Sequence, residues 1–160
     1  MDALCISLTF ERPKHIIMKI IPIGADHAGF QLKEQVSQYL RDLGYEIKDF
    51  GCFSEESIDY PDYAHPVAEL IEANPGMRGI LICGSGNGIN MTANKHSGIR
   101  SALCWKKEIA ELARLHNNAN VLALPARFIS MDEAKEMVEV FLTTEFEGGR
   151  HQKRVEKIAL

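Results

Sequence analysis

Five short runs rich in β-branched and aliphatic residues, near 19–24, 46–50, 79–83, 100–104 and 120–124, alternate with stretches whose apolar residues recur at helical spacing. That alternation predicts a parallel sheet, because parallel neighbours need a long crossover and the crossover helix buries its apolar stripe on the sheet. The expected architecture is a single-domain three-layer α/β sandwich around a five-stranded sheet. Leu32, Val36, Tyr39, Leu40 and Leu43 form one such stripe, stopped by Gly44 as the residue after the cap. Ser130 and Glu133 read as a capping box that opens another helix, with Ala134, Met137, Val138, Phe141 and Leu142 on its inner face.

The chain has 160 residues and carries no internal repeat or Pro/Gly/Ser-rich linker, so one domain accounts for it. Cys5, Cys52, Cys83 and Cys104 lie far apart without a C-x-x-C pair, which suggests neither a zinc site nor a redox dithiol and fits a reducing cytoplasm. A net charge of −4 argues against a general nucleic-acid surface, and no apolar stretch is long enough to span a membrane. Residues 1–17 are read as a disordered or loosely attached leader: Asp2 stands where a signal peptide wants positive charge, and Met18 directly precedes the first strand run as an alternative start. The domain is expected to span residues 18–160.

Ligands of an open parallel sheet bind beyond the carboxyl ends of its strands. Three such ends carry chemistry. The first leads into Gly-Ala-Asp-His-Ala-Gly at 24–29, the third into Cys83-Gly84-Ser85-Gly86-Asn87-Gly88, and the fifth to Arg127. Glycine at every second position, ahead of a helix expected over 90–95, exposes a row of backbone N–H groups to an anion. A thiol there can have its pKa drawn below the free value, although a cysteine is as often a small buried hydrophobe. A dinucleotide site fits poorly even though Asp49 stands where a ribose-binding acid would be expected. Asp26 occupies the place of the middle glycine in G-x-G-x-x-G and would repel a pyrophosphate, while Ile89 replaces the last glycine of the second loop.

Ile109, Leu112 and Ala113 put His116 on the buried face of a helix's last turn, where the dipole favours its protonated form. It is either a satisfied core histidine or, with Asn117 beside it, a proton carrier next to a neutral hydrogen-bonding group. Gly148-Gly149 turns the chain, and Arg150 and Arg154 then share a face if a helix follows. Such a pair is either a solvated charged face or a bidentate phosphate grip. Val155, Ile158 and Leu160 are too few to bury this segment alone, so it is expected to dock on a partner subunit.

Gly-x-Asp-His-x-Gly, Asp59-Tyr60-Pro61, the Cys83 loop, Ala93-Asn94-Lys95, His116-Asn117 and Gly-Gly-Arg-His-Gln-Lys-Arg at 148–154 occur in order at fitting spacings. Together they resemble the type B ribose-5-phosphate isomerase family, from residue 18 to about 160. The resemblance implies a Rossmann-like fold and the interconversion of ribose 5-phosphate and ribulose 5-phosphate in the pentose phosphate pathway, through ring opening and a cis-enediol intermediate. It implies no cofactor and no metal. By resemblance His116 opens the ring, Cys83 as thiolate removes the proton beside the carbonyl, and Ser85 moves protons between the two oxygens. The amides of Gly84, Ser85, Gly86, Asn87 and Gly88 would stabilise the enediolate. Asp26 and Asn117 would hold hydroxyls or the ring oxygen, and His27, Arg127, Arg150 and Arg154 the phosphate.

Some family members use a Glu just after the glycine loop as base, but Ile89 stands there, leaving Cys83 as the base the pattern supplies. Asn118 replaces an Asp found in many relatives, a loss of charge that would lower the pKa of His116 if the two are close. The family also implies a homodimer or tetramer with active sites shared between subunits. Two other functions stay open: isomerisation of a 6-phospho sugar such as allose or galactose 6-phosphate, and a non-catalytic sugar-phosphate-binding module. Asp26, Asp59 and Asp62 show no metal-ligand spacing.

Overall fold

The computed structural model describes residues 19–158, so the expected leader and Leu160 lie outside the described residues. Five strands, β1 (Ile20–Ala25), β2 (Glu46–Asp49), β3 (Gly79–Cys83), β4 (Ser101–Leu103) and β5 (Val121–Pro125), form one all-parallel sheet in the order β2-β1-β3-β5-β4. The five expected strands are present, their ends shifted by a residue or so. The helices are α1 (Phe30–Asp42), α2 (Pro61–Ala73), α3 (Asn87–Ala93), α4 (Lys107–Asn117), α5 (Met131–Thr143) and α6 (Arg150–Val155).

β3 and β5 are buried along their whole length, as central strands covered on both faces must be. Alternation then sorts their side chains. Ile80, Ile82, Leu122 and Leu124 face a core built with α1, α4 and α5, whereas Leu81, Cys83 and Val121 face a second core built with α2 and α3. The Ser130 capping box is formed, its hydroxyl accepting from the Glu133 N–H at 3.2 Å, and Ala134, Met137, Val138, Phe141 and Leu142 are all buried.

Four expectations need correction. Leu43 is exposed and Tyr39 only half-buried, because α1 ends at Asp42 and Leu43 already belongs to the turn that Gly44 completes at φ +88°. The helix expected over 90–95 starts earlier, at Asn87, since Gly86 takes a left-handed φ of +75° and turns the chain in one residue. The third concerns α2, which was not foreseen. Pro61 sits in its first turn, where a missing N–H costs nothing, and Ala64, Val67, Ala68 and Ile71 make a narrow inner stripe that Pro66 obscures in the sequence. Lastly, α6 does not wait wholly on a partner: His151 buries it against α4 of the same chain, while Ile158 is exposed.

Candidate active site

β1 and β3 end side by side, which brings Asp26 and Cys83 together. The Asp26 N–H donates to Ile82 O at 3.1 Å, and its Oδ1 accepts from the Gly29 N–H at 2.8 Å, so the carboxylate is locked over the end of β3. Both groups are 6 % exposed. Burial first, and then the hydrogen-bonded Asp26 carboxylate, push the Cys83 thiol above its ordinary value, against a smaller opposite pull from the N–H groups of Gly86 and Ser85. This corrects the expectation of a depressed pKa. The glycine-loop amides are present, but the negative neighbour and the burial outweigh them in the ligand-free chain. Because the neutral thiol is favoured, alkylation of Cys83 is expected to be slow at neutral pH and to rise with a midpoint above that of a free thiol. Iodoacetamide labelling across pH, read at the Cys83 peptide by mass spectrometry, checks this; fast labelling at neutral pH would contradict it.

His27 and Arg127 join the same edge. The Ile58 N–H donates to His27 Nδ1 at 3.4 Å, leaving the ring proton on Nε2. The Arg127 N–H donates to Gly84 O at 3.1 Å, and a side chain at 84 would sit 3.3 Å from the guanidinium, so Arg127 lies directly over the loop. Ser85 is exposed, and its Oγ accepts from the Asn87 N–H at 3.4 Å. Tyr60, to which no role was given, also belongs here: its ring carbon stands 2.5 Å from where a Cβ at Gly88 would lie. Its signal was its place in Asp59-Tyr60-Pro61. Asp49 has other employment, since it accepts from the buried Lys33 ammonium at 2.5 Å and from the Gly51 N–H at 2.8 Å. Turning it toward a ribose would break that pairing and leave the buried Lys33 ammonium with one carboxylate fewer, a further argument against a dinucleotide.

His116, Asn117, Arg150 and Arg154 are elsewhere. α4 runs back across the sheet, so His116 and Asn117 lie just before Val121 at the start of β5, whereas Cys83 pairs with Pro125 at its end. The intervening strand is about 13 Å long. Arg114, a buried residue not singled out from sequence, holds this corner together. Its guanidinium donates to Thr144 O at 3.1 Å, to Asn118 Oδ1 at 3.0 Å and to Ala119 O. Burial, then repulsion from Arg78, lowers it to about 10, still charged at neutral pH. Asn118 thus caps α4 at φ +48° and is anchored by Arg114, a structural reason for an amide there.

At this corner His116 stacks on His151, with ring centroids 4.2 Å apart and planes 8° from parallel. Glu147 Oε2 approaches both Nε2 atoms, at 3.7 Å from His116 and 3.6 Å from His151. Burial, His116 and Arg150 lower the His151 pKa. Arg150 and Arg154 are exposed on α6 beside these rings, as the i, i+4 spacing predicted. One chain therefore does not assemble the full set. Asp26, His27, Cys83, the loop 84–88 and Arg127 share the carboxyl edge, and His116, Asn117, Arg150 and Arg154 share the amino edge.

The sequence matches the profile of the Ribose/Galactose Isomerase family over residues 21–158. It is 45% identical over 141 residues to the ribose-5-phosphate isomerase B of Escherichia coli, covering 88% of this chain and 95% of that protein. The fold superposes on a ribose 5-phosphate isomerase from Thermotoga maritima with a TM-score of 0.86 and 50% identity, covering 88% of this chain and 97% of the other. A Mycoplasma genitalium ribose-5-phosphate isomerase B with bound ribulose-5-phosphate gives a TM-score of 0.84 at 43% identity, covering 88% and 95%. With the family profile, the sequence identities and the fold in agreement, the chain belongs to the ribose/galactose isomerase family.

Proposed function

We propose that this chain interconverts ribose 5-phosphate and ribulose 5-phosphate as at least a homodimer, each active site combining the Cys83 edge of one copy with the His116 edge of the other. The observation that carries this reading is the division of the residues themselves. Among the described residues, the carboxyl edge has a base and a row of amides but a single arginine; the amino edge has a proton carrier and the two exposed arginines of α6 but no thiol. Docking one on the other completes a sugar-phosphate site and gives the exposed Ile158 end of the chain a surface to cover.

In that site His116 moves a proton at the ring oxygen to open the furanose, with Asn117 and Asp26 holding hydroxyls. Engagement of Asp26 by a sugar hydroxyl weakens its hold on the thiol proton, which leaves to solvent, so that Cys83 as thiolate takes the C2 proton and returns a proton to C1. The enediolate oxygens then meet the amides of residues 84–88, donors worth about 3 kcal/mol each in such roles. Ser85 relays protons between the two oxygens. Arg127 from one copy and Arg150 with Arg154 from the other neutralise the phosphate, to which His27 donates its Nε2–H. The free, buried Cys52, Cys83 and Cys104 suit a reducing compartment, and we assign the enzyme to the cytoplasm.

Turnover of ribose 5-phosphate, allose 6-phosphate and galactose 6-phosphate, each with and without chelator, tests the assignment. Ribose 5-phosphate is expected to give the highest kcat/KM, unchanged by chelator, with exchange of its C2 proton into solvent. A higher value for a 6-phospho sugar would reassign the substrate, and binding without proton exchange would leave a sugar-phosphate-binding module.

A further inference from the structure

The corner between α4 and α6 has a second chemical capacity. His116 Nε2, Glu147 Oε2 and His151 Nε2 lie within 4.8 Å of one another, the carboxylate oxygen being 3.7 Å and 3.6 Å from the two nitrogens. A tetrahedral ion with bonds of about 2.0–2.1 Å holds its donors roughly 3.4 Å apart, so both measured separations are within a few tenths of an ångström of that spacing. The backbone already fixes the donors. The Glu147 N–H donates to Leu115 O at 3.1 Å, the His151 N–H donates to Gly148 O at 3.0 Å, and Arg114 ties Thr144 to the end of α4.

Two imidazoles and one carboxylate, with a fourth position open, form a donor set suited to zinc and too poor in oxygen for magnesium or calcium. We propose that His116, Glu147 and His151 form a reversible site for zinc(II), and that the bound ion inhibits the isomerase by occupying the lone pair of His116. The inhibitory half rests on the ring-opening role given to His116 above; the binding half does not. Parallel rings cannot aim both lone pairs at one point, so the imidazoles must tilt toward each other as the ion enters. Arg150, whose Nε donates to His151 Nε2 at 3.5 Å, must withdraw; it is exposed and free to do so. Glu147 and His151 are four residues apart, but His116 lies 31 residues before Glu147, so the sequence does not show the three together.

Calorimetric titration of the full chain with zinc chloride, in parallel with activity in zinc-buffered solution, tests both halves. The wild-type and Cys83→Ala proteins are expected to bind one zinc ion per chain with similar affinity. Glu147→Gln and His151→Asn are expected to bind it at least about 10-fold more weakly. Circular dichroism checks that each variant is folded, and Glu147, being exposed, carries the test if His151→Asn is not. Wild-type activity should fall with the same midpoint as binding and return on chelation. Absence of binding, or binding lost in Cys83→Ala and unchanged in Glu147→Gln, would overturn the site. Binding weakened by Glu147→Gln but without inhibition would overturn the inhibitory half, while the ring-opening role of His116 is judged separately, by the activity of His116→Gln.

Discussion

Cys83→Ala is expected to lower kcat on ribose 5-phosphate by about 10³-fold or more while leaving the fold and sugar-phosphate binding in place. The substitution removes the one base that the carboxyl edge offers to the C2 proton and keeps the loop amides, Asp26 and Arg127 where they are. Its cost in stability should be about 1 kcal/mol, the loss of one buried sulfur at the end of a strand. Steady-state kinetics, equilibrium binding of ribose 5-phosphate and thermal unfolding separate these effects. A protein that unfolds would mean the thiol serves packing. A folded protein with near-normal kcat would mean the base lies elsewhere.

Gly29→Ala is expected to destabilise the protein by about 3 kcal/mol. A Cβ at this position would lie 2.5 Å from Ile82 O and 2.7 Å from Ile82 C, which are backbone atoms of the strand that delivers Cys83. Relief requires α1 to retreat from β3, separating Asp26 from the thiol as well. Gly44→Ala is the control. Gly44 has φ +88° and nothing within 4 Å of where a Cβ would lie, so Gly44→Ala should lose only the cost of the left-handed backbone, about 1 kcal/mol. Urea unfolding of the two variants measures the difference. Equal losses would contradict the close approach at Gly29.

The layers and the strand positions are legible because the alternation of short β-branched and aliphatic runs with period-3.6 stripes is a local signal, and α5 is marked by its capping box. α2 is not legible, because its stripe is mostly small residues with Pro66 inside it. The site was legible as a set of residue types but not as an arrangement. Residue types do not tell that a parallel crossover returns α4, and His116 at its end, to the edge of the sheet opposite Cys83. Glu147, His151 and Arg114 are illegible for a related reason: the i,i+4 pairs Glu147–His151 and Arg114–Asn118 are too common to mark a site, and the contacts that give them meaning, Glu147 to His116 and Arg114 to Thr144, join separate elements. The sign of the Cys83 shift also lies beyond the sequence, since the amides that lower it are in its own loop whereas the burial that raises it most, and then Asp26 from β1, come from the packed fold.

Subunit complementation tests the shared site most directly. Cys83→Ala and His116→Gln are each expected to be inactive alone, and a mixed dimer of the two has one site with both substitutions and one with neither. Unfolding and refolding an equimolar mixture should therefore restore about one quarter of wild-type activity, the share of intact sites when copies pair at random. If Cys83 and His116 of one chain served the same site, every site in the mixture would carry one substitution. Activity would then stay at the level of the separate variants, which would contradict the account.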